Sequence, residues 1–206
     1  MAQRTRRHWT DVEYVEEDFS ERDFSELDLE RCWFTKCSFR HAQVTEVKAT
    51  RCHFEECDFT SARMNAAVFR DCSFSTCNLT NANLFSATLE NTRLLGSSLA
   101  DANLTGVVIK GGDWSWANLR GQDLAEKDLR EVKFVEADLS GANLKKADLR
   151  NSDLAKANLS HTDLAETDLR GANLSGVDLR TASIKGARME FDQAVQFARS
   201  HGAKIE

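Results

Sequence analysis

The 206-residue chain contains no proline. Proline lacks a backbone N–H and breaks hydrogen-bonded ladders, so a chain without it can donate at every position, as a fold built wholly of ladders requires. Long apolar runs are also missing. None approaches the roughly 20 residues a membrane helix needs, so no membrane contact is expected. The N-terminus has no apolar signal-peptide core, which leads us to expect a cytoplasmic chain with its six cysteines reduced. There is no glycine-rich phosphate loop, no zinc-protease helix and no nucleophile elbow. Cysteine pairs five residues apart do not match the two-to-four spacing usual at zinc sites. No catalytic, cofactor-binding or metal-binding residue is assigned, and an enzyme is not expected.

A strict count of five is present instead. Residues 31–40 read RCWFTKCSFR, 51–60 RCHFEECDFT and 71–80 DCSFSTCNLT. The blocks lie twenty residues apart and each holds two half-blocks five apart. From Tyr14 to Met189 every fifth residue is apolar, without one insertion. Two residues before each of these central positions the chain is usually small, and Cys32, Cys37, Cys52, Cys57, Cys72 and Cys77 all sit there. The residue just before is most often Asp or Asn, whose side chain can bond to nearby backbone at a turn.

Residues two apart point to the same side of an extended segment, so the small and central residues point inward together. A helix needs apolar residues at three-and-four spacing, which a five-count cannot supply. Two inward residues followed by a turn make a chain that bends at every unit, and the twenty-residue period means that four units complete one lap. Stacked laps would place Phe34, Phe54 and Phe74 in one column and Cys32, Cys52 and Cys72 in another.

Units such as ADLSG (137–141), ANLKK (142–146), ADLRN (147–151) and ANLSG (172–176) resemble the A(D/N)LXX pattern of the pentapeptide-repeat proteins. The resemblance runs over about residues 12–190. It implies an all-β protein, a right-handed quadrilateral β-helix of about nine coils over 11–190, with a short C-terminal helix. At a strand spacing of roughly 4.8 Å, such a rod would be roughly 43 Å long.

The two ends and the middle depart from this regularity. Residues 1–10 show no five-count and are expected to form a disordered basic tail carrying Arg4, Arg6 and Arg7. Residues 11–30 hold ten acids and one base, leaving 23 acids and 23 bases for residues 31–206, so the acidity lies in the first coil. Glu17 and Arg22 fall at inward positions there, where burial would be costly. Either that end opens to water or its register is loose. Between 106 and 128, Gly106, Gly111, Gly112 and Gly121 cluster, Gln122 and Lys127 take small-residue places, and Trp116 should point outward. The glycines suggest either space made by Gly112 for Trp114 or a local distortion that exposes Trp116 as a contact. Lys110, Arg130, Arg150 and Arg170 should share one outward column beside Asp128, Asp148 and Asp168. In residues 191–206, Phe191, Ala194, Val195 and Ala198 recur at helical spacing, and Phe197 lies among them, with Gly202 as a stop. This helix should cap the open coil and pair with its twin.

Within the family the chain is similar to the Qnr and MfpA branch in length, in its single-phase coil and in the ending DQAVQFARSHG, though it lacks the loop insertions typical of Qnr. That resemblance implies a DNA mimic that acts on bacterial type II topoisomerases such as DNA gyrase, dimerises through its C-terminal helix and binds no nucleic acid directly. The candidate partner-binding acids are Glu13, Glu16, Asp18, Glu21, Asp23, Glu26, Glu46, Asp123, Glu126, Asp163 and Glu166, with Trp116 as an exposed aromatic contact. Phe191, Ala194, Val195, Phe197 and Ala198 are the candidate dimer interface. The alternative is an interaction scaffold with an unrelated partner.

Overall fold

A computed structural model describes residues 7–205. Its strands are three residues long: β1 (His8–Thr10), β2 (Glu13–Val15), β3 (Asp28–Glu30), β4 (Trp33–Thr35), β5 (Lys48–Thr50), β6 (His53–Glu55), β7 (Val68–Arg70), β8 (Ser73–Ser75), β9 (Thr88–Glu90) and β10 (Val108–Lys110). They form two parallel sheets, β1-β3-β5-β7-β9-β10 and β2-β4-β6-β8. Every pairing advances by twenty residues, as in Phe34↔Phe54 and Phe54↔Phe74. The molecule is a β-solenoid closed by one helix, α1 (Phe191–Ser200).

Regular strand persists for about five turns rather than the nine coils expected, ending at Lys110. Beyond it the twenty-residue advance continues through single-residue bridges as far as Asp168↔Arg188. The residue before the central position explains the change. Strand units carry His, Glu, Trp, Lys, Val, Ser or Thr there, and only β3 begins on an Asp. Later units carry mostly Asp or Asn, whose carbonyl-type oxygen accepts the N–H two residues on, as in Ser140 to Asp138 (3.0 Å) and Ala165 to Asp163 (2.9 Å). That bond turns the chain immediately after the central residue and leaves no room for three extended residues.

The stacked columns form the core. The Phe34 and Phe54 rings lie 5.1 Å apart at 6°, Phe54 and Phe74 4.7 Å apart at 14°, and Phe39 and Phe59 4.7 Å apart at 2°. All six cysteines are free and buried. The thiols of Cys32, Cys37, Cys57 and Cys77 donate to the carbonyl of a central residue one coil back, as Cys57 does to Phe34 and Cys77 to Phe54, both at 3.3 Å. Burial pushes the Cys32 and Cys37 thiols up, which keeps them protonated packing groups.

The coil starts within the expected tail: β1 pairs with β3, and Trp9, five residues before Tyr14, packs on the core beside Tyr14 (5.5 Å). Residues 1–6 of that tail lie outside the described residues. Glu17 and Arg22 are exposed while Asp18↔Ser38 and Asp23↔Gln43 keep register, so this end is open rather than loose. Arg22 lies over the Phe19 ring at 5.6 Å.

The glycines of the middle are not a distortion in themselves. Every fifth residue from Asp11 to Gly176 has positive φ, forming the outer corner of each unit. All the chain's glycines except Gly112 and Gly202 sit at this phase. Most corner N–H groups bond to the next coil, as Glu16 does to Thr35 (2.9 Å) and Lys36 to Glu55 (2.8 Å), which offsets the conformational strain. Gly112, at φ 108, is different. A Cβ there would lie 2.2 Å from the Thr92 carbonyl oxygen, so this glycine makes room for the coil below and not for Trp114. Trp114 itself is fully buried, and its indole N–H has no partner.

The ladder is also interrupted, over a short stretch between 156–161 and 177–181 and over a longer one in the middle of the chain. Asn81, Leu84, Ser86 and Asn91 donate to Ala100, Asn103, Thr105 and Lys110. One coil on, among the described residues, no backbone hydrogen bond joins 101–111 to 120–131. Lys110 therefore stands across a gap from Arg130 instead of continuing its column.

Candidate functional site

The sequence-derived acids are brought together only in part. Glu13, Glu16, Asp18, Glu21 and Asp23 are exposed around the first turn, and Glu26 is half-buried. Asp23, Asp123 and Asp163 share one register column, but Gln43, Arg63, Asn83, Asn103 and Asn143 separate them. Glu46, Glu126 and Glu166 are exposed at corners near that column. Asp123 Oδ1 accepts from the Asn143 amide at 2.9 Å, and Lys146 lies 4.0 Å from Glu126. The acidity is therefore a ring at one end of the solenoid with spaced patches along one side.

The opposite charges form a repeated ladder. Arg130, Arg150 and Arg170 each grip the aspartate two residues before them at 2.6 Å. Arg130 also approaches Asp148 (3.7 Å), and Arg150 approaches Asp168 (4.0 Å). The hydrogen bonds from Arg170 hold the Asp168 carboxyl well below its ordinary range, at about 2, and Asp128 and Asp148 are lowered in the same way by Arg130 and Arg150. A folded pKa below the unfolded one adds stability above the unfolded value of 3.8, and this is lost as pH falls through the folded value. We therefore expect the melting temperature to fall between about pH 4 and pH 2. Replacing Arg130, Arg150 and Arg170 with glutamine should flatten that fall, though only slightly because the pairs are solvent-screened. Circular dichroism melts of both proteins across this range check it.

Among aromatic contacts, Trp116 is 58% exposed at a corner with φ 59. Trp33, which the sequence reading did not single out, is 50% exposed and stacks on His53 one coil above, at 3.8 Å and 13°. Its place just before central Phe34 already marks it as outward, and Glu13 pairs with it on the other side.

The helix caps the coil by a route the apolar pattern did not reveal. Gln193 is buried, and its amide donates to the Leu169 and Ala172 carbonyls, both at 2.7 Å. Its side-chain oxygen accepts the Glu190 N–H at 2.8 Å. Phe197 packs partly onto the core and so belongs to the cap rather than to a free dimer face. Phe191, 80% exposed, and Ala194 point away from the coil, and Val195 and Ala198 are half-buried.

Among the described residues, no group of three His, Cys, Asp or Glu could hold a metal ion, and no helix is long and apolar enough to cross a membrane.

Residues 47–124 match a profile described as a pentapeptide repeat region, and residues 115–151 and 152–190 match one of eight-copy pentapeptide repeats. No curated protein matches. A trypsin-treated variant of QnrB1, a plasmid-mediated fluoroquinolone resistance protein, superposes with a TM-score of 0.84 at 21% identity, covering 97% of this chain and 99% of that one. Full-length QnrB1 superposes at 0.68 and 21%, covering 95% and 100%. HetL, a pentapeptide-repeat protein involved in heterocyst differentiation regulation in the cyanobacterium Nostoc, superposes at 0.62 and 26%, covering 89% of each chain. With the repeat profiles continuous from residue 47 to 190 and the same solenoid under them, the chain belongs to the pentapeptide-repeat family.

Proposed function

We propose that the chain is a non-enzymatic binding protein that occupies the DNA channel of a bacterial type II topoisomerase, DNA gyrase above all, and so modulates its activity and its sensitivity to fluoroquinolones. The observation that carries this reading is the whole-chain likeness to a fluoroquinolone resistance protein, which extends over 97% of the residues. Physical chemistry adds to it. The first turn presents exposed carboxylates as a ring, and a rod bearing spaced carboxylates is attracted into a basic channel and steered there at an enhanced rate. The exposed Phe191 and Ala194, beside Val195 and Ala198, form the dimer face of the reading, so that two rods join tail to tail.

The neutral balance of residues 31–206 favours a second reading, an interaction scaffold whose partner is unrelated to topoisomerases. Gyrase supercoiling with and without a fluoroquinolone separates the two. The first reading expects inhibition or protection that rises with protein concentration. No effect in either assay at large excess leaves the scaffold.

A further inference from the structure

We infer that the interruption between residues 101–111 and 120–131 is a hinge in the solenoid, held open by the side chains of Gln122 and Lys127. Where the residue two before a central position carries a hydroxyl, it can serve as a short donor. Thr92, Ser97 and Thr162 hydroxyls donate to Phe69, Phe74 and Leu139 carbonyls, each 23 residues back, at 3.1, 3.0 and 2.8 Å. Gln122 stands at that position and makes the same bond, to Leu99, at 2.6 Å. It makes it with a far longer arm. Lys127 goes further: its ammonium donates to the Val107 carbonyl at 3.2 Å. In closed coils that acceptor takes the backbone N–H 21 residues on, as Lys127 itself does from Asp148 (2.9 Å). The ammonium has taken the place of the Asp128 N–H.

A longer strut between the same two points holds the coils apart. Two cavities of about 490 and 340 Å³ open where the ladder is missing. The first is lined by Asp101, Arg120, Asp123 and Lys127, the second by Lys110 and Arg130 among others. The remaining faces of the same coils stay closed. Leu94 donates to Asp113 (2.8 Å), Gly96 to Ser115 (3.0 Å) and Leu99 to Asn118 (2.9 Å), and Lys133 donates to Gly112 (3.1 Å) where the ladder resumes. One side zipped and the other open is the geometry of a hinge: the two stacks can tilt about the 94–99 edge without breaking a backbone bond. Water can reach the polar lips, so opening leaves no buried donor stranded.

Hydrogen exchange followed by mass spectrometry tests this on the full chain. The amides of Leu104, Gly106 and Gly111 should exchange at least about tenfold faster than those of Leu84, Ser86 and Asn91 one coil earlier, because only the latter are ladder-bonded. The double variant Gln122→Ser, Lys127→Ala restores short side chains and should close the gap, slowing exchange at 104–111 about tenfold and narrowing the range of bend angles seen by small-angle scattering. Equal protection at the two sets of amides in the unmodified protein would overturn the hinge, whatever the variant does. A folded double variant with unchanged exchange at 104–111 would overturn the role of the two struts.

Discussion

Phe54→Ala is expected to destabilise the protein by about 3–5 kcal/mol, the range for removing a buried phenylalanine. Phe54 is 3% exposed and stacks between Phe34 and Phe74, with edge contacts to Phe39, Phe59 and Phe69. Its loss breaks a column rather than a single pair. In a solenoid each coil contacts only its neighbours, so a gap in one rung weakens the interfaces above and below it. Phe85→Ala is the control: that ring is 47% exposed and should change stability by about 0.5 kcal/mol or less. Urea denaturation of the two variants reads the difference. A Phe54→Ala loss close to that of Phe85→Ala would mean that the columns do not carry the core.

The column was legible because it rests on period alone. Side-chain direction alternates in extended chain, so the five-count fixed what points inward and the twenty-count fixed what stacks. The helix was legible for a similar reason, through its apolar spacing and Gly202. What stayed hidden depends on reach rather than on period. The outer corners adopt positive φ with Glu, Lys, Arg and even Trp116 in place, because hydrogen bonds to the next coil hold them there. Only the phase of the glycines hinted at it. Gln122 and Lys127 were visible as misfits, but the loss of ladder around them follows from side-chain length, which a count of apolar positions does not measure. Gln193 is similar. A polar residue on a helix reads as solvent-facing, yet its two-sided amide satisfies the last carbonyls of the coil. Trp9 is in phase with Tyr14, but Arg4 five residues earlier is not apolar, and one added position at the edge of the pattern carries little periodic signal.

Of the candidate site, exposure was legible and continuity was not. Residues before a central position point outward, so the first-turn acids are where the pattern put them. Whether acids of successive coils adjoin depends on what lies twenty residues away, and Arg63, Asn83 and Asn103 break the column. This shifts the expected attraction toward the first turn, where neutralising charge should have its largest effect.

The most direct measurement is competition for gyrase between this protein and fluorescently labelled duplex DNA. The account predicts that added protein releases the DNA, and that Glu13→Gln, Glu16→Gln and Glu21→Gln together raise the concentration needed by about tenfold, as expected when charges steering association are removed. DNA that stays bound at a large excess of folded protein would contradict it.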